Sequence, residues 1–556
     1  FSNGTATVTG ICPRRARKSN DTLVSDAQLL AQDLDSSDPD LGLRYSNNFT
    51  VKPSGPSRLQ VLTQDQTQAP GTPTGRVAGF PAAKTSGTAF SVRARITDLY
   101  WNLVESGSYD LRVKTSDPND VEPSTKTVSV SDTFVLNLKR AATDHFIGIY
   151  AEPVSGDPAT GPNLPEDSDT GPSDVQYYSR ISSLTVNAGS ANRIILLHPE
   201  QSLNQGATSY VTARTGNVPN RAAGTAFTVY VYLVDQNFNV VKGVRNGDLV
   251  TVTAPGDPLG SLGFSGTIDA SQGFATVPNV TLRRSGSLRL EAVISPATLQ
   301  GYNSDSQSAG TNPVPFNVTA GAPQGFQVLM PWETENSGQG EYPNGGKIVG
   351  STSTAASPGI FAGVPFNVKV RAVDSFFNSV SNSVSGWNCP GADPCPSVYL
   401  DTSDPYDGAY DVQTGTKNLN STGEITLSAT LVSRRADHTI FARNVNGILA
   451  NIDVNAANRT TAFFVESSAP AKLTALLPAE YEVEGKCDVA GICKSISGPP
   501  GKGGLPSSFA VGGSTQVRVQ LVDAYYNRIR DVASQPYVRV ETPWDNLDLS
   551  EIIPAQ

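Results

Sequence analysis

The chain has 556 residues, 38% hydrophobic and 17% charged, with a formal net charge of −10. That length asks for several cores rather than one, and the acidic balance excludes the clustered Lys and Arg of a nucleic-acid surface. No run of about eighteen apolar residues exists, which excludes a membrane-spanning helix, and 50 Gly with 39 Pro favour many short strands joined by turns over helices.

In chain order, the first residues, Phe1-Ser-Asn-Gly-Thr-Ala-Thr-Val8, match the second half of a unit that recurs downstream. Any export signal is expected to have been removed or to lie outside this sequence. The basic run Arg14-Arg15-Ala16-Arg17-Lys18 follows, and its short length reads as a solvated loop.

The recurring unit then opens with a short hydrophobic strand: Arg58–Leu62, Arg193–Leu197, Phe326–Met330 and Lys472–Leu476. Some 25 to 40 Gly- and Pro-rich residues lead to an alternating strand: Phe90-Ser-Val-Arg-Ala-Arg-Ile-Thr-Asp98, Phe227–Asp235, Phe366–Asp374 and Thr515–Asp523. Apolar residues at every second position mean a strand with one buried face. Each strand ends in Asp-x-x-x-Asn: Asp98/Asn102, Asp235/Asn239, Asp374/Asn378 and Asp523/Asn527. These residue types close turns through bonds to their own backbone, so the motif is read as a turn.

A second strand leads to Asp117, Asp257, Asp404 and Asp545. A glycine-type turn and another alternating strand follow, as in Gly273-Phe-Ala-Thr-Val and Gly423-Glu-Ile-Thr-Leu. The unit closes with Leu184-Thr-Val186, Phe316-Asn-Val318 or Phe463-Phe-Val465. About seven short strands per unit and no useful helical periodicity predict an all-β fold of tandem immunoglobulin-like antiparallel β-sandwiches, joined by Gly/Pro-rich linkers.

The signature Ala-Gly-Thr/Val-(Ala/Pro)-Phe-x-Val…Val-Asp-x-x-x-Asn resembles the bacterial Ig-like domains of the invasin and intimin type. That resemblance covers essentially the whole chain and implies cell-surface fibres and adhesins. The chain departs from the family pattern in the long linker after the first strand.

The Asp-x-x-x-Asn strands are spaced 137, 139 and 149 residues apart. The expected division is a C-terminal half-domain (1–55), three whole units (56–189, 190–322 and 323–469) and an N-terminal half-domain (470–556). The halves are complementary in phase: passing from Asp523 of one copy to Asp98 of another gives a spacing of 131. Two readings follow. In one, residues 1–55 complete residues 470–556 of a neighbouring copy, giving a head-to-tail filament. In the other, the chain is a window on a longer array, the stalk of a giant surface adhesin.

Cys389/Cys395 and Cys487/Cys493 each bracket five residues. They are expected to form local disulfides, which places the chain outside the cell or on its surface; zinc is disfavoured by the spacing and by the absence of nearby His. Cys12 is left over, either free or paired between chains.

No nucleophile, P-loop or metalloprotease motif occurs, so no catalytic residues, metal or cofactor are assigned and the chain is not expected to be an enzyme. His145 and His438 share a repeat position, and His198 begins a linker. The acidic loops at Asp33–Asp40 and Glu166–Asp169 lack the EF-hand pattern and read as solvated. Seven sequons, at Asn3, Asn20, Asn48, Asn279, Asn317, Asn420 and Asn458, are about what the composition gives by chance. The turn aromatics Tyr100, Trp101, Phe376, Phe377, Tyr525 and Tyr526 are read as packing at a sandwich end rather than as a sugar platform. The expected partners are further copies of the chain, with cell-surface or host ligands left open, and neither nucleic acid nor membrane insertion.

Overall fold

The computed structural model describes residues 4–16, 27–34, 42–77, 81–152, 178–296, 315–342, 344–349, 359–382, 387–389, 395–407, 415–445, 459–460, 462–532, 534, 536–544 and 551–553. Among these described residues the regular structure is strand throughout, apart from one 3₁₀ turn at Gly260–Leu262. No helix among the described residues is long and apolar enough to cross a membrane, which says nothing about a β-barrel.

Three sandwiches follow one another at 58–187, 193–319 and 325–466. In the first, Arg58–Thr63, Phe90–Thr97 and Ser131–Leu136 form one antiparallel sheet. The facing sheet runs Lys84–Thr85, Tyr178–Asn187, Ala142–Glu152, Ser108–Thr115 and Lys126–Ser129. The alternation of Phe90–Thr97 turns Val92, Ala94 and Ile96 inward, where they meet Leu111, Val113, Ile147 and Ile149 of the other sheet. Burying each such branched side chain contributes roughly 1.5–3 kcal/mol.

The other two sandwiches repeat the plan. The opening strand lies antiparallel to the Asp-terminated strand in matching register: Arg58 faces Thr97, Arg193 faces Val234 and Gly325 faces Val373. The opposite edge of the Asp-terminated strand pairs with the strand after the glycine-type turn, Ser131–Leu136, Phe274–Val280 or Glu424–Ala429. A two-residue strand also pairs in parallel with the closing strand of each unit, as Lys84–Thr85 does with Val186 and Asn187.

The flanking segments are barer. Arg518–Val522 pairs with Lys472–Leu476, again with Lys472 facing Val522, but among the described residues it has no strand on its other edge. Near the N-terminus, Leu30–Ala31 pairs with Arg44–Tyr45, and residues 6–16 belong to no strand. The side chains of Val8, Ile11, Leu30, Tyr45, Phe509 and Val511 are exposed.

Candidate functional site at the joints between units

The Asp-x-x-x-Asn loops close as turns, as their composition demands. In all four, one carboxylate oxygen of the Asp accepts the amides two and four residues on, at 2.8–3.0 Å. The residue just before the Asn is left-handed: Trp101 at φ 66°, Phe238 at 58°, Phe377 at 61° and Tyr526 at 66°. An aromatic in that region costs on the order of 1–2 kcal/mol. Complete burial of the Phe238 and Phe377 rings offsets this.

Turn closure is only half of what the motif does. The Asn side chain faces backward and grips the preceding unit. Asn239 donates to the Lys139 carbonyl at 2.7 Å and accepts from the Ala141 amide at 2.7 Å. Asn378 does the same to Arg283 (2.7 Å) and Ser285 (2.7 Å). Asn527 does so to Val432 (2.8 Å) and Arg434 (2.7 Å). The second carboxylate oxygen of the Asp accepts an amide from the connecting segment: Gly189 on Asp235 at 2.8 Å, Gly321 on Asp374 at 2.7 Å and Ser468 on Asp523 at 2.9 Å. All six of these Asp and Asn side chains are buried.

The gripped turn is itself held from behind. Asp257 accepts the Arg283 and Arg284 amides, both at 2.7 Å. Asp117 takes Lys139 and Arg140 at 2.5 and 2.8 Å, and Asp404 takes Val432 and Ser433 at 2.7 and 2.8 Å. Each joint is thus a chain of contacts from a buried Asp of one unit, through a short turn, to a buried Asn of the next. Asp545, aligned with these aspartates in sequence, lies outside the described residues.

Glycines from two parts of each unit bring the backbones close enough for this. Gly87, Gly224 and Gly363 have φ of 74–81° and lie against Asn237, Phe376 and Tyr525 of the following unit. A Cβ on Gly224 would come within 2.5 Å of the Phe376 ring. Gly71, Gly206 and Gly338, supplied by the long linker, donate to the Tyr100, Asn237 and Phe376 carbonyls at 2.8–2.9 Å. The long linker after the opening strand therefore builds part of the joint. The sequence signature contains Gly224 and Gly363, but neither the close approach these glycines allow nor the grip of the Asn is read from it; the recurrence of Gly at one spacing before the Asp strand was the available signal.

The same geometry occurs at residue 102. Asn102 donates to the Arg14 carbonyl at 3.0 Å and accepts from the Ala16 amide at 2.7 Å, while Ser54 donates to Asp98 at 3.2 Å. The Arg14 guanidinium lies 5.7 Å from the centre of the Tyr100 ring. The described part of the basic run is thus held by its backbone in a joint while Arg14 and Arg15 remain exposed; Arg17 and Lys18 lie outside the described residues.

The remaining candidate residues are accounted for by structure. His145 and His438 contact the Arg140 and Ser433 carbonyls at 2.8 and 2.6 Å, holding the gripped turn in the first and third sandwiches. His198, which begins the linker after Arg193–Leu197, is buried beside Phe227 and Phe316, with ring centres 5.9 and 4.9 Å away. Burial, reinforced by the Arg221 charge, lowers its pKa to about 4. Asp120 moves the other way, raised to about 6 by burial and by the neighbouring carboxylates Asp117 and Glu122.

Disulfides join Cys389 to Cys395 and Cys487 to Cys493, the first buried in the core of the third sandwich. Cys12 is exposed and bonded to no other cysteine. Among the described residues no His, Cys, Asp and Glu cluster could hold a metal ion. Most of the Asp33–Asp40 loop and all of Glu166–Asp169 lie outside those residues, as do Asn3, Asn20 and Asn458. The turn aromatics pack: Trp101 lies on Gly75, Phe377 on Gly346 and Tyr526 on Gly501.

Fold and joints together define an array of immunoglobulin-like β-sandwiches whose consecutive units are hydrogen-bonded to one another. No protein-family model matches the chain, and no curated protein matches it. Among solved structures, the Escherichia coli adhesin FdeC is 11% identical, over 76% of this chain and 100% of that one, with a TM-score of 0.22. Escherichia coli alpha-2-macroglobulin activated by porcine elastase is 8% identical, over 80% of this chain and 36% of that one (TM-score 0.23). The surface layer protein SbsC, domains 1-6, is 12% identical, over 94% and 56% (TM-score 0.15). Likenesses this distant carry no assignment of function.

Proposed function

We propose that this chain is a structural subunit of an extracellular or surface-displayed fibre, and that copies join head to tail by completing a split Ig-like domain. On this reading its role is mechanical continuity rather than catalysis. The observation that carries it is the grip of Asn102 on Arg14 and Ala16. Each other joint of this kind clamps the end of a strand that belongs to a preceding sandwich. On this reading residues 4–16 stand for the strand and turn that such a sandwich presents to the joint, and residues 470–544 carry the strands of the first part of one. The two disulfides support an oxidising location.

A second reading is favoured by the regularity of the joints: the chain is a stretch of a longer surface stalk, with adhesion to a cell-surface or host ligand residing elsewhere. Electron microscopy and sedimentation of the purified 556-residue chain, beside a copy lacking residues 1–55, separate the two. Long threads that depend on residues 1–55 support the split domain. Short rods of one chain length from both proteins support the stalk.

A further inference from the structure

Residues 4–16 match one segment of the chain without a gap. Gly4-Thr-Ala-Thr-Val-Thr-Gly-Ile-Cys-Pro-Arg-Arg-Ala16 lies over Gly273-Phe-Ala-Thr-Val-Pro-Asn-Val-Thr-Leu-Arg-Arg-Ser285. The backbone agrees at both unusual positions: Gly4 and Gly273 have φ of 72° and 79°, and Gly10 and Asn279 have 82° and 58°. Asn279 marks the register shift in the ladder between Phe227–Val234 and Phe274–Val280. In the first and third sandwiches the corresponding stretch is one residue shorter, so residues 4–16 copy the bulged version. Val277 and Val280 are fully buried in that strand, whereas Val8 and Ile11 are exposed.

The complementary surface is on the last unit. Arg518–Val522 has a strand on one edge only among the described residues, where its three counterparts are flanked on both. Val517 and Val519 are half-buried, while Val229 and Val231 at the same positions are sealed. Gly512 stands where Gly87, Gly224 and Gly363 stand, with φ of 77°, yet nothing would meet its Cβ within 4 Å. Val511 is fully exposed, whereas Ser86, Ala223 and Ala362 before those glycines are buried.

We propose that the occupant of this edge is residues 4–11 of a second copy, antiparallel, in the register of the middle sandwich. This rests on the head-to-tail reading above. In the middle sandwich Thr276 faces Tyr230 and Val277 faces Val229. The equivalent pairs are Thr7 with Arg518 and Val8 with Val517, with Gly10 forming the bulge. Insertion buries Val8 and Ile11 against Val517 and Val519, and Tyr100 of the same second copy then lies over Gly512. Ladder bonds and a shared core supply both affinity and direction.

Disulfide trapping tests the register. In a Cys12→Ser background, Thr7→Cys is combined with Arg518→Cys, or with Gln516→Cys as the control displaced by two residues. Directly opposed positions are the closest on a sheet face. The in-register pair is expected to give a ladder of chain multiples on non-reducing gels that collapses to one band on reduction, with the control largely monomeric. A peptide of residues 4–16 added in excess should shorten the threads. Threads that trap only through the displaced pair, or through neither, overturn this register while leaving the fibre reading intact. A chain that sediments as a monomer and gives no ladder overturns both.

Discussion

The Asn239 side chain lies 2.7 Å from the carbonyl oxygen of Lys139, a residue 100 positions earlier that belongs to the preceding sandwich. The same amide also donates to Ser86 of that sandwich at 2.8 Å. One short polar side chain therefore bonds backbone of the preceding unit and the Asp235 carboxylate of its own unit at once, and the joint behaves as a continuation of the interiors on either side rather than as a linker. Water cannot easily replace these partners, because Asn239 and Asp235 are buried.

Asn239→Ala is expected to leave the Ala141 amide without a partner and the Lys139 carbonyl with the Ser86 hydroxyl alone. A buried orphan costs about 1–3 kcal/mol. The melting transitions of the first two sandwiches should then move further apart in calorimetry, and small-angle scattering should report a broader distribution of lengths. Unchanged transitions and an unchanged length distribution would show that the side chain contributes nothing to the coupling.

Gly224→Ala should loosen the next joint by steric means. Its φ of 81° is unfavourable for alanine, and the new methyl meets the Phe376 ring. Strain in that backbone region costs about 1–2 kcal/mol, to which displacement of the ring adds. Limited proteolysis should open near residues 320–325, and Phe376→Ala should restore only the steric part. Equal protection in Gly224→Ala and the parent chain would count against a close joint.

The middle sandwich should weaken in mild acid. His198 has a folded pKa of about 4 against an ordinary 6.5, so the unfolded chain takes up its proton first as pH falls. Its contribution is fully present above pH 6.5 and is lost progressively as pH falls through 4. That shift corresponds to about 3 kcal/mol over the whole window. His198→Phe should flatten the pH dependence of that sandwich's melting between pH 6.5 and 4. Asp120 has the opposite sign: its raised pKa of about 6 makes the first sandwich lose stability as pH rises through that value.

Removing the buried disulfide should be local. Cys389 and Cys395 close a loop with a sequence separation of 6, for which chain entropy gives about 2 kcal/mol. A Cys389→Ser, Cys395→Ser chain should lower the melting of the third sandwich by that amount and leave the first two unmoved. A uniform drop across all transitions would contradict independent cores.

The fold was legible because its signal is local. Val92, Ala94 and Ile96 alternate with outward-facing neighbours, and period two allows only a strand with one buried face. The Asp-x-x-x-Asn motif was legible as a turn for the same reason, since Asp235 bonds to amides two and four residues away. Its outward grip was not legible. A motif whose local bonds already explain it gives no sign of bonds made elsewhere, and Arg14-Arg15-Ala16 looked like a solvated basic loop because its charges, not its backbone, stand out in a sequence.

The amino-acid order by itself thus determined that the chain alternates strand and turn, that it does so in units of one kind, and where each unit turns. Those properties depend on side chains a few residues apart. Tertiary structure alone decided that Asn239, Asn378 and Asn527 reach back across 95 to 100 residues to bind the preceding unit. It also decided that Gly224 must lack a side chain so that Phe376 can approach. Such contacts exist only after two cores have formed and their ends have met, because what they satisfy is backbone that no local residue can reach.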